Sequence, residues 1–298
     1  ALAADTPRVS KVETIGEGGA FPHAMQLVRE HGLVPEAAMP SKVIDADNSG
    51  VLVSQVQRLV TAAAAELGSI DGKDRRRRAR VAAGYKKRVV ELLDLSLGKP
   101  PERFTVNGQR HTPDSYRKTL GIADCDLRYV ALANQPQKTG ARITFADKTG
   151  GFTSFSARPV KSRQMRRLAQ RALDAGEALY FAANVGAKNP HRVEDKRAPE
   201  GKRGILSVGA FNYQGLVPVV PVGKRDRLEA GVDASNHGMV LTGYDTRGKS
   251  NKVRKWQVHN SWGSTNGDGG RLHMYNDYFG AYVEKLYVPE HLVPKDLR

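Results

Sequence analysis

Cysteine is nearly absent: the 298 residues contain one, Cys125. A single thiol excludes an internal disulfide framework and any zinc site built from several thiolates. No apolar run approaches the ~20 residues that crossing a bilayer takes, so no membrane partner is expected. Acidic residues are in deficit, 31 against 47 Lys and Arg, which leaves a formal charge of +16. That surplus attracts polyanions through a salt-sensitive field and carries no information about fold. Hydrophobic residues, at 40%, suffice for a core in one large or two modest domains. The lone thiol suits a reducing compartment, and a cytoplasmic location is the expectation. Export is the alternative, since Ala1-Leu2-Ala3-Ala4 resembles the residue of a cleaved leader, although no charged region and apolar stretch precede it.

Helical periodicity dominates the first third. Pro22 suits the first helical turn, Ala24, Met25, Leu27 and Val28 form an apolar stripe, and Gly32 supplies a left-handed stop. Leu52, Val56, Leu59, Val60, Ala63 and Leu67 recur at helical spacing. So do Ala82, Tyr85, Val89, Leu92 and Leu93, until Gly98 and Pro100-Pro101 end the pattern. These two segments predict a helical hairpin whose turn is basic, with nine Lys or Arg and one acid over 73–88. After Pro101 the residues 127–132, 141–145, 178–185, 237–244, 255–260 and 271–275 read as strands, 162–175 as a helix and 188–203 as a loop. Helices first and strands later argue α+β rather than alternating α/β. The expected division is 1–47 as part of a helical half, 48–100 as a basic helical insertion, and 101–298 as a mainly β half.

Chemistry concentrates in Asn236-His237-Gly238-Met239-Val240-Leu241-Thr242-Gly243-Tyr244 and Trp256-Gln257-Val258-His259-Asn260-Ser261-Trp262-Gly263. His237 opens one strand and Asn260 closes the next, so an antiparallel hairpin brings them together. Side chains alternate along a strand, which puts Trp256, Val258 and Asn260 on one face. Two bulky neighbours bury the Asn260 amide, and a buried amide requires a partner. An imidazole N–H answers that need and thereby fixes the ring's tautomer. The bland alternative is a core histidine beside a turn asparagine.

The pattern is richer than a pair. A His-Gly strand running to Thr242-Gly243-Tyr244, followed by Asn260-Ser261-Trp262-Gly263, resembles the papain superfamily of cysteine peptidases. Gly16-Glu17-Gly18-Gly19 ahead of the Pro22 helix, Leu97-Gly98-Lys99-Pro100-Pro101, Gly176-Glu177-Ala178-Leu179-Tyr180-Phe181 and Lys224-Arg225-Asp226-Arg227-Leu228 resemble its bleomycin hydrolase/aminopeptidase C branch. So does the long helical insertion. The resemblance implies a papain-like fold, a helical half plus an antiparallel β-barrel-like half with a helical hairpin inserted. It also implies aminopeptidase-like hydrolysis with no cofactor. His237 would serve as catalytic base and acid, Asn260 would orient it, and Trp262 would shield their bond. Gly18, Gly19 and Asn236 would meet the peptide substrate, glycine because an extended backbone needs close approach.

In that family the nucleophilic cysteine opens a helix upstream of the glycine pair. Only fifteen residues precede Gly16 here, none of them cysteine. Cys125 lies between Asp124 and Asp126, whose charges discourage a thiolate. The expectation is activity only with a cysteine-bearing N-terminal segment, supplied as a separate chain or lying outside these residues. A catalytically dead scaffold that binds peptide or polyanion is the alternative. Relatives extend a C-terminal arm that restricts them to trimming N-termini; this chain stops at Arg298, so a cleft open to longer peptides is expected.

Arg75, Arg76, Arg77 and Arg78, with Arg158, Lys161, Arg163, Arg166, Arg167 and Arg171, read as solvated helix faces or as a polyanion-binding surface. The resemblance adds a homo-oligomer, a hexamer with a basic channel, and weak non-specific nucleic-acid binding. No metal is expected: Asp45-Ala46-Asp47-Asn48-Ser49-Gly50 opens like a calcium loop, but Val56 stands where a bidentate Glu is needed.

Overall fold

The computed structural model describes residues 12, 14–16, 18–40, 49–122, 128–135, 141–145, 152–185, 192–193, 204–208, 223–230, 234–246 and 251–298. Cys125 and most of the calcium-loop-like stretch lie outside these, as does nearly all of 188–203. In chain order the elements are α1 (Phe21–His31), α2 (Gly50–Gly68), α3 (Arg75–Leu97), β1 (Phe104–Val106), β2 (Gln109–His111), α4 (Pro113–Thr119) and β3 (Tyr129–Ala133). There follow β4 (Ile143–Phe145), β5 (Phe155–Pro159), α5 (Ser162–Asp174), β6 (Leu179–Ala183), β7 (Arg192–Val193), β8 (Ile205–Leu206) and α6 (Lys224–Glu229). The last are β9 (His237–Thr246), β10 (Val253–His259), β11 (Arg271–Tyr275), α7 (Asn276–Tyr282) and β12 (Val283–Pro289). They fall into two compact units, Ala1–Gly19 with His31–Gly121, and Ala20–Glu30 with Ile122–Arg298.

In the first unit α2 and α3 pack side by side. Asp74 caps α3 by accepting from the Arg77 amide at 3.0 Å. Arg78 closes the turn, its Nη1 donating to Leu67 O in the last turn of α2 and to Ile70 O beyond it, at 2.6 and 3.2 Å. β1 and β2 form a hairpin closed by Asn107-Gly108, both at positive φ, as a tight primed turn requires. α4 starts with a reciprocal cap between Thr112 and Ser115.

The second unit is built on a ten-stranded sheet in the order β4-β5-β3-β12-β6-β9-β10-β11-β8-β7. It is mixed. β5 inserts between β3 and β4 and so runs parallel to β3, and β8 runs parallel to β11. The β half expected to be antiparallel and barrel-like is antiparallel in all its described pairs but these two. Among the described residues no ladder joins the edges β4 and β7. On one face α5 and α7 cover a core of Met165, Leu168, Leu179, Phe181, Leu241, Trp256, Phe279 and Leu286. On the other, Tyr129, Tyr180 and Tyr287 gather around Phe21 of α1, each ring centroid 5.0 Å from the phenylalanine. β12, paired with both β3 and β6, is central to the sheet.

The anticipated strands and helices appear with shifted ends. The 255–260 strand is Val253–His259, the 178–185 strand is Leu179–Ala183, and 271–275 holds as drawn. Gly32, Gly98 and Gly176 stand at φ of 75°, 88° and 83°, the left-handed conformations that end their helices.

Candidate active site

β9 and β10 are antiparallel, with His259 opposite Val240 and Val258 opposite Leu241. The residue after β10 therefore comes beside the first residue of β9. His237 Nε2 lies 2.8 Å from Asn260 Oδ1. An amide oxygen only accepts, so Nε2 carries a proton, and in the neutral form of the ring Nδ1 holds the lone pair. The Ser261 amide donates to the same oxygen at 2.9 Å and steadies it. Trp256 and Val258 are fully buried and Asn260 nearly so, the alternation read from the sequence. Trp262 stacks on the imidazole at 4.5 Å between centroids and 25° between planes.

The contacts that hold the start of β9 come from elements distant in the chain. Gly238 has no room for a side chain: a Cβ there collides with the Tyr180 hydroxyl from the neighbouring strand. Burial raises the Tyr180 phenol above its ordinary value, so it stays neutral beside the strand that carries the histidine. The two residues before His237 are clamped as well. The Ser235 amide donates to Glu284 Oε2 at 2.7 Å. The Asn236 amide is used at both ends, its Oδ1 accepting from Val185 N at 2.9 Å and its Nδ2 donating to Asn184 Oδ1 at 3.1 Å. Burial by itself would raise the Glu284 carboxyl. The Lys285 ammonium 3.5 Å away and the Ser235 hydrogen bonds outweigh it and hold the group below the ordinary carboxylate value.

His237, Asn260 and Trp262 are thus brought into contact, and Asn236 adjoins them as a strand clamp. Gly18 and Gly19 are exposed residues of the first unit, and a Cβ at Gly18 would meet nothing within 4 Å. Arg75, Arg76 and Arg77 are exposed, while Arg78 is committed to the α2–α3 turn. The Lys224-to-Leu228 stretch forms most of α6, whose Lys224 Nζ and Arg227 Nη2 donate to Val283 O and Ala281 O. Among the described residues no three His, Cys, Asp or Glu gather to hold a metal ion. An imidazole held by an orienting hydrogen bond at Nε2 can take a proton from a thiol at Nδ1 and return it to a leaving group.

The model of the Peptidase C1-like family matches residues 9–298. Aminopeptidase W of Lactobacillus delbrueckii subsp. lactis is 27% identical over 94% of this chain and 64% of its own length. Aminopeptidase E of Lactobacillus helveticus is 27% identical over 91% and 63%. Aminopeptidase C of Lactobacillus delbrueckii subsp. lactis is 23% identical over 95% and 64%. The crystal structure of PepW from Lactobacillus rhamnosis HN001 superposes with a TM-score of 0.74 at 23% identity, over 94% of this chain and 64% of that one. That likeness supports a papain-like fold. The chain spans just under two thirds of the length of the relatives it matches.

Proposed function

Because this chain belongs to the Peptidase C1-like family, in its bleomycin hydrolase/aminopeptidase C branch, we propose that it carries the histidine and asparagine of a cysteine peptidase whose nucleophilic thiol comes from a segment outside these 298 residues. The observation that carries the reading is the 2.8 Å His237–Asn260 bond under the Trp262 ring. A helical hairpin inserted into a papain-like body, a peptide substrate met by Gly18 and Gly19, and assembly as a homo-oligomer belong to the same proposal.

In the proposed mechanism the thiol proton passes to His237 Nδ1, and the thiolate–imidazolium pair supplies a nucleophile at neutral pH. Sulfur attacks the scissile carbonyl. The imidazolium then gives its proton to the leaving amine, and the C–N bond breaks to leave a thioester. Water, deprotonated by the same nitrogen, attacks the thioester; the proton returns to sulfur and the acid leaves. Asn260 holds the ring through Nε2–H in every step. Fixing the tautomer and heading matters because a misplaced base loses most of its effect.

The test is hydrolysis of an aminoacyl amide by the chain together with its cysteine-bearing segment. His237→Ala should lower kcat/KM by about 10⁴-fold or more, and Cys125→Ala should leave it unchanged. If Cys125→Ala abolishes turnover in a folded protein, the external thiol is wrong. If the 298-residue chain alone cleaves while Cys125→Ala changes nothing, both cysteine mechanisms fail. If no cysteine-bearing partner restores turnover, the inactive-scaffold reading replaces this one.

A further inference from the structure

The His237–Asn260 pair sits at one end of β9 and β10. At the opposite end, roughly 30 Å away along the ten residues of β9 at ~3.3 Å each, lies a cavity of about 700 Å³. Its wall is one face of α5: Arg163, Arg166, Arg167 and Gln170 follow the i, i+3, i+4, i+7 spacing. The opposite face of that helix buries Met165, Leu168, Ala169 and Ala172 in the sheet core, so the arginines stand on a rigid support. Asn251 and Lys252 close the other side, with Gln170 Nε2 donating to Asn251 O at 3.2 Å. No carboxylate and no aromatic ring is among the residues that line the cavity.

Among the described residues no carboxylate lies within ion-pair distance of Arg163, Arg166 or Arg167. Arg166 is half-buried, and desolvation lowers its affinity for a proton below the ordinary value. Gly280 of α7 leaves room for it, since a Cβ there would come 3.0 Å from Arg166 Nη1. The site is half open, with Arg163 and Arg167 exposed and Arg166 half-buried; guanidinium groups recognise tetrahedral oxyanions through paired N–H donors, and several together call for several negative charges. The volume suits a small molecule rather than a strand. Without an aromatic platform no base can stack, which argues against single-stranded nucleic acid as the ligand.

We propose that this cavity binds a compact oligophosphate, a ligand of two or three linked phosphoryl groups held by Arg163, Arg166 and Arg167. The site is independent of the peptidase reading, and its test involves no peptide cleavage.

The experiment is calorimetric titration of the full chain with sodium tripolyphosphate, pyrophosphate and orthophosphate, and with a short single-stranded oligonucleotide. Saturable one-site binding is expected, tightest for tripolyphosphate. The Arg163→Gln/Arg167→Gln double variant, altering two exposed side chains, should weaken it by at least about tenfold through loss of charged hydrogen bonds. Arg75→Gln/Arg76→Gln should leave it unchanged. A second readout needs no variant: tripolyphosphate should protect Arg163 and Arg167 from phenylglyoxal, mapped by mass spectrometry. Lack of saturation up to roughly 10 mM, an unaffected double variant, or unprotected arginines would each overturn the proposal. Tighter binding of the oligonucleotide with the same arginine dependence would also overturn it, in favour of a strand.

Discussion

The α2–α3 pair and the β9–β10 pair are each two consecutive elements packed side by side, and they are built in opposite ways. α2 buries Leu52 alone and α3 buries Ser96 alone, while Val51, Val90 and Leu95 stay open to solvent, Leu95 at 72% exposure. β9 and β10 bury Met239, Leu241, Val253, Trp256 and Val258, most of them completely. A helix satisfies its backbone within its own segment, whereas a strand finds its hydrogen-bond partners only in a sheet. Side chains that must hold a geometry to a few tenths of an ångström therefore belong on the second kind of element, where His237 and Asn260 are found.

The contrast is broken most severely at its centre. Trp256→Ala removes a fully buried ring whose Nε1 donates to Asn276 Oδ1 at 3.3 Å. It should cost about 3–5 kcal/mol of the second unit's stability, read by denaturant unfolding, and leave the α2–α3 helical signal largely intact. Gly238→Ala comes next, at about 2 kcal/mol from the collision with Tyr180. Combining it with Tyr180→Leu should recover part of that loss; no recovery would mean the glycine is required for another reason.

Glu284 supplies a smaller effect with a defined pH signature. Its folded carboxyl titrates below the ordinary value of 4.5. The stabilisation is therefore complete above that value and is lost as pH falls through the lower, folded one. Glu284→Gln should cost about 1 kcal/mol near neutrality. Its melting temperature should also fall less steeply than that of the parent between about pH 5 and pH 3. Parallel acid curves would remove the carboxylate from the account of how the strand start is held. The smallest effect is expected in the first unit: Leu95→Ser should change stability by less than about 0.5 kcal/mol, since its side chain is already in water. A larger loss, or a change in sedimentation, would show that the exposed face of α3 is covered in solution.

The candidate site was legible because it is a local device. His237 and Asn260 are 23 residues apart on two adjacent strands, and alternation alone predicts both the burial of Asn260 and its meeting with the imidazole. Segments whose partners lie far along the chain were not legible. β12 is sandwiched between β3 and β6 and buried on both faces, so Val283 to Pro289 shows no period-2 pattern. α7 is a seven-residue helix of mostly aromatic and small residues, too short for a helical stripe to register. The parallel pairing of β5 with β3 depends on β5 slipping between two earlier strands, which no local periodicity encodes. Glu284 supports Ser235 across 49 residues, and nothing in Val-Glu-Lys-Leu marks it as different from a surface glutamate.

The amino-acid sequence by itself determined where the helices run, where left-handed glycines stop them, and that an imidazole and a carboxamide close the same hairpin. These follow from propensity, period and turn chemistry acting over a few residues to a few tens. Tertiary structure alone decided the strand order, the collision that keeps position 238 a glycine, the buried carboxylate behind Ser235 and the arginine-lined cavity beyond the far end of β9. Each of these joins side chains from separate elements, and their free energy depends on distances that exist only once the sheet has assembled.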